Sequence, residues 1–90
     1  MPPISFKTKE RISEQILAHL FSKSPEPKFT SHIARDLARD EEFIKSLLIE
    51  LEKRKFVVRV VKNSQGADFL KRQRWRLSNA AFEAYSRMQR

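Results

Sequence analysis

A chain of 90 residues with 40% hydrophobic side chains can bury one modest core but not two, and it is too apolar for a disordered polymer. The absence of cysteine rules out a disulfide framework or a thiolate metal site, and a single glycine excludes glycine-rich phosphate loops. The net charge is +8, and all of it falls between Lys53 and Arg76, where nine cations face one acid, Asp68. So concentrated a field suits a polyanion, because phosphates neutralised by cations release their condensed counterions. The bland alternative is a basic surface that only aids solubility. No apolar run approaches the roughly 20 residues of a membrane span, and the N-terminal stretch lacks the apolar centre of a secretory signal. A cell interior is therefore expected, with no membrane contact.

In chain order, Ile12, Ile16, Leu17, Leu20 and Phe21 fall on one helical stripe. They predict a first helix over about residues 8–22, capped by Ser5 or Thr8 and closed by Pro25 and Pro27. Lys28 and Phe29 read as a connector. A second, two-turn helix starts at the N-cap Thr30 and turns Ile33, Ala34 and Leu37 inward; helices this short persist only when packed. Asp40 caps a third helix whose first turn holds Glu41 and Glu42, where the helix dipole favours carboxylates. Its buried stripe is Ile44, Leu47, Leu48 and Leu51, with Phe43 and Ile49 at the margins as further core or as a surface for a second protein.

The period then changes. Phe56–Val61 is β-branched and dense, the turn that follows contains Asn63 and Gly66, and residues 69–77 alternate. Phe69, Lys71, Gln73, Trp75 and Leu77 share one side of this return strand, and Leu70, Arg72, Arg74 and Arg76 share the other. A hairpin over about 56–77 thus offers Trp75 to a core and a row of arginines to an anion. Ser78 or Asn79 caps a last helix over about 79–88, whose apolar side is Ala81, Phe82, Tyr85 and Met88.

Helix, short helix, tight turn, helix, basic hairpin and closing helix, in this order, resemble a winged helix-turn-helix domain of the MarR-like and ArsR-like class. Ile33-Ala34, Leu37, the turn Ala38–Asp40, Leu51-Glu52, Phe56-Val57 and the run Arg74-Trp75-Arg76-Leu77-Ser78 carry the resemblance. The expected fold class is α+β and mostly helical. It comprises a three-helix core with the helix-turn-helix at about 30–54, a two-stranded wing and a C-terminal helix, all in one domain over residues 1–90.

The resemblance implies that the third helix enters the major groove of duplex DNA with Glu41, Glu42, Lys45, Ser46 and Ile49 outward, Lys45 and Ser46 being the candidate base readers. It implies phosphate contacts from Thr30, Ser31, His32, Arg35 and Arg39 on and after the second helix. Lys62, Asn63, Gln65, Lys71, Arg72, Arg74 and Arg76 would lie along the backbone or minor groove as the wing. Three positions depart from the pattern: Arg39 stands where an apolar residue is usual, Lys55 where glycine is usual, and Asp40-Glu41-Glu42 opens the recognition helix with charges that repel phosphate. Wing-dominated, weakly specific binding follows more readily than base reading.

No Ser/His/Asp or Cys/His set supports enzymatic chemistry, and His19 and His32 lack the ligand spacing of a metal site, so neither catalysis nor a metal or cofactor is expected. The leading expectation is a small double-stranded-DNA-binding transcriptional regulator of a bacterial or archaeal cytoplasm. The alternatives are a winged-helix protein-interaction module and non-specific RNA binding through the hairpin. Phe82, Tyr85 and Met88 offer either a homodimer surface or a face packed on the first helix.

Overall fold

The computed structural model describes residues 5–60 and 73–88. The chain runs through α1 (Phe6–Lys23), β1 (Lys28–Phe29), α2 (Thr30–Asp36), α3 (Glu41–Lys53), β2 (Val57–Val60), β3 (Arg74–Leu77) and α4 (Asn79–Met88). In α1 the Ser5 hydroxyl caps the helix by accepting from the Thr8 N–H at 3.2 Å. The spacing of Ile12, Ile16 and Leu20 delivers all three to the interior. There they meet Ile33 and Ala34 of α2, Ile44, Leu47, Leu48 and Leu51 of α3, Val57 of β2, and Trp75 and Leu77 of β3. Each large side chain so buried contributes about 1.5–3 kcal/mol, and this shared core keeps the seven-residue α2 helical.

Lys28 and Phe29, read above as a connector, are instead a third strand. The sheet is antiparallel with order β1-β3-β2, pairing Lys28 with Trp75, Phe29 with Arg74, and Val57 through Val60 with Leu77 back through Arg74. Two residues have no period to detect; only their partner strand makes them a strand. Burial alternates along β3, with Trp75 and Leu77 inward and Arg74 and Arg76 on the opposite face.

Thr30 also departs from expectation. It does not cap α2: the N-cap is Phe29, without a side-chain bond, and Thr30 is buried. Its Oγ1 accepts the Trp75 indole N–H at 2.7 Å, while its hydroxyl and its backbone N–H both reach the Gln73 carbonyl, at 3.4 and 3.2 Å. A tryptophan can sink wholly into this core because Thr30 satisfies its one polar atom.

Both helices of the helix-turn-helix end in the same way. At the end of α2, Ala38 N–H bonds Arg35 O and Arg39 N–H bonds Ala34 O; at the end of α3, Lys55 N–H bonds Glu52 O and Phe56 N–H bonds Leu51 O. This is the Schellman pattern, which requires a left-handed residue. Ala38 supplies it at φ 56° and Lys55 at φ 68°. The position where glycine is usual is therefore built with its usual backbone, occupied by a residue whose Cβ resists it. Lys55→Gly is expected to raise unfolding free energy by roughly 0.5–1 kcal/mol, seen as a higher denaturant midpoint at unchanged slope.

Candidate nucleic-acid interface

Phe29 is the meeting point of the charged surface. Its pairing with Arg74 puts both on the sheet face away from Trp75, and the Arg74 guanidinium carbon lies 5.8 Å from the Phe29 ring centre. From α2, the imidazole of His32 meets the same ring edge-on at 5.3 Å. All three side chains are half-buried, so each keeps an accessible edge. A residue of α2 and a residue of the return strand thus share one platform.

The expected row of arginines is divided. Arg74 lies on Phe29, whereas Arg76 donates from Nη1 to the Leu77 carbonyl at 2.9 Å. Arg76 also lines a cleft of about 260 Å³ with Ser24, Pro25, Leu77, Asn79 and Phe82. Two further cations of the basic region are engaged internally. Arg59 pairs with Glu52 at 3.0 Å while stacking on Trp75 at 4.8 Å, and Arg54 pairs with Glu10 at 3.4 Å while stacking on Phe56 at 4.9 Å.

On α3, the Asp40 carboxylate accepts from the Phe43 N–H at 3.1 Å, and Asp40, Glu41 and Glu42 are all exposed. Ser46 is exposed and donates to the Phe43 carbonyl at 2.6 Å; Lys45 is half-buried. Phe43 and Ile49 pack against the core, which resolves their marginal position on the helix. The Ser78 hydroxyl caps α4 by accepting from the Ala81 N–H at 3.1 Å. The rings of Phe82 and Tyr85 lie 5.3 and 5.5 Å from that of Phe21 on α1, leaving Met88 exposed. Burial, and after it the Glu14 carboxylate, push the Tyr85 phenol above its ordinary value of 10.0.

Neither a family model nor a curated protein matches the sequence. Solved structures do. A point mutant of Staphylococcus aureus MepR bound to an oligodeoxyribonucleotide superposes with a TM-score of 0.67 at 23% identity, covering 84% of this chain and 54% of that one. MepR itself, a transcription regulator of the S. aureus multidrug efflux pump MepA, gives 0.66 at 23% identity with the same coverage. The apo-Zalpha of zebrafish PKZ gives 0.63 at 20% identity, covering 79% of this chain and 97% of that one. The fold is a winged helix-turn-helix. The chain spans about half the length of the MepR chains it matches.

In winged-helix terms, α2 and α3 form the helix-turn-helix and β2–β3 the root of the wing. Ser31, Arg35 and Arg39 are exposed on and after α2, and His32 joins Arg74 on Phe29. Thr30 does not join them, because its hydroxyl is committed inside. Lys62, Asn63, Gln65, Lys71 and Arg72 lie outside the described residues. Sequence reasoning missed Phe29 altogether; an aromatic next to a helix start, in a segment with no period, was the one available sign. Among the described residues no His, Asp and Glu group is arranged to hold a metal, and no helix is long and apolar enough to cross a membrane.

Two measurements test this geometry. Thr30→Val strands the indole N–H and should cost about 1–3 kcal/mol of stability, read by denaturant unfolding. Ultraviolet titration should place the Tyr85 phenolate midpoint above 10, with Phe21→Ala moving it down. Because burial raises the Tyr85 pKa, its contribution to stability is present below pH 10 and is lost as pH rises through the folded-state pKa.

Proposed function

We propose that the chain is a double-stranded-DNA-binding domain of a small transcriptional regulator, with one core carrying both the helix pair and the wing. The observation that carries this reading is the convergence of His32 and Arg74 on Phe29, beside a segment that holds the whole net charge of +8. Cations at the wing and donors on the second helix are the parts a phosphate backbone requires. The likeness to a MepR structure bound to an oligodeoxyribonucleotide supports the same reading.

Within it, α3 lies in the major groove with Lys45 and Ser46 facing base edges, while Arg74 and the wing grip the backbone. Affinity comes mainly from the wing, and sequence preference is weak. Asp40, Glu41 and Glu42 oppose phosphate at the start of α3, and glutamate is a minority partner for bases. Docking of a protein on Phe43 and Ile49 is less well supported, since both are packed on the core. Two copies would pair through Met88 and the exposed part of Phe82.

The deciding experiment is a fluorescence-anisotropy titration of a random-sequence duplex of about 30 base pairs at low and moderate salt, with RNA as competitor. Binding at about micromolar concentration at low salt, fading steeply as salt rises, is expected. Arg74→Ala should weaken every duplex alike and flatten the salt slope by about 1. Glu42→Gln should tighten binding to random sequence by a few-fold, roughly what one surface charge contributes. Absence of binding at low salt, or a stronger hold on RNA, would contradict the proposal.

A further inference from the structure

We infer that Phe29 is a positioning residue for nucleic-acid binding: its ring holds Arg74 and His32 as a pre-set pair of donors for one stretch of phosphate backbone. This deepens the DNA-binding reading and rests on it. The sheet needs Phe29 for neither of its obvious tasks. The core lies on the other face, filled by Trp75, Leu77 and Val57, and the joint between β3 and α2 is made by Thr30. Among the described residues, the ring meets a cation and an imidazole. Arg74 lies over it at 5.8 Å from the strand directly opposite, and His32 abuts it at 5.3 Å and 89° from the next helix.

An arginine loses much of its rotamer freedom when a ligand immobilises it. A guanidinium already resting on an aromatic face has given up part of that freedom beforehand and keeps its edge N–H groups for phosphate. His32 lies on α2 three residues after Phe29, so one ring spans the seam between the wing and the helix pair. The two donors therefore reach the backbone in a fixed relation, although they belong to elements far apart in sequence.

A double-mutant cycle tests this. Wild type, Phe29→Leu, Arg74→Ala and the double variant are titrated against the random duplex at one low salt, each checked for folding by circular dichroism and melting. Phe29→Leu should weaken binding roughly three- to tenfold when Arg74 is present, and less than about twofold when it is already alanine. Phe29→Tyr, which keeps the ring, should bind as wild type. Arg74→Lys approaches the contact from the other side without disturbing the packed ring, and should lose affinity although the charge stays. Equal losses for Phe29→Leu in both backgrounds, or full binding by Arg74→Lys, would overturn the role. A wild-type chain that leaves the duplex free overturns the function together with this role. Wild-type binding with additive losses overturns the role of Phe29 alone.

Discussion

The hydrogen bond from the Trp75 indole to the Thr30 hydroxyl, 2.7 Å long and out of reach of water, is the joint on which the architecture turns. A tryptophan this deep contributes a large apolar area, but its N–H would cost about 1–3 kcal/mol if left without a partner. Thr30 resolves that conflict and, through its own N–H and hydroxyl, also ties the Gln73 carbonyl to the start of α2. One residue thereby couples the return strand of the wing to the first helix of the helix-turn-helix. The compromise is that α2 begins without a side-chain cap and leans on the core instead.

A second joint does the same for α3. Arg59 leaves β2 on the face shared with Trp75, stacks on the indole and pairs with Glu52 near the end of α3. The strand pair is thus anchored to both helices of the helix-turn-helix through one tryptophan. Charge on the resulting surface is divided: carboxylates cluster at the start of α3, while Arg74 stands on the sheet beside His32. The described surface is therefore acidic at the start of α3 and cationic at the sheet.

Much of this was legible in the sequence wherever a period existed. The stripes at Ile12-Ile16-Leu20 and at Ile44-Leu47-Leu48-Leu51 match the observed cores of α1 and α3, and the alternation at Arg74-Trp75-Arg76-Leu77 sorts core from surface. What escaped had no period or depended on a distant partner. β1 is two residues long, and its identity lies in β3. Thr30 looks like a helix cap in isolation, because the sequence around it does not display a tryptophan 45 residues away. Ala38 conceals a left-handed residue because no glycine marks it, whereas Lys55, standing where glycine is usual, already pointed to the left-handed backbone it adopts. The packing of Phe82 and Tyr85 on Phe21 joins the two ends of the chain, and no local pattern could choose it over a second copy.

The brevity of β1 also bears on solution behaviour. An open sheet edge is a template on which a foreign strand can grow. On this side the edge is only Lys28 and Phe29, with Pro27 before it and the helix α2 immediately after, so no ladder can lengthen there. With the order β1-β3-β2, the edge left for edge-to-edge aggregation in the described sheet is β2, where Arg59 interrupts the run of valines. In the described sheet, both edges are thus blunted against growth by a foreign strand.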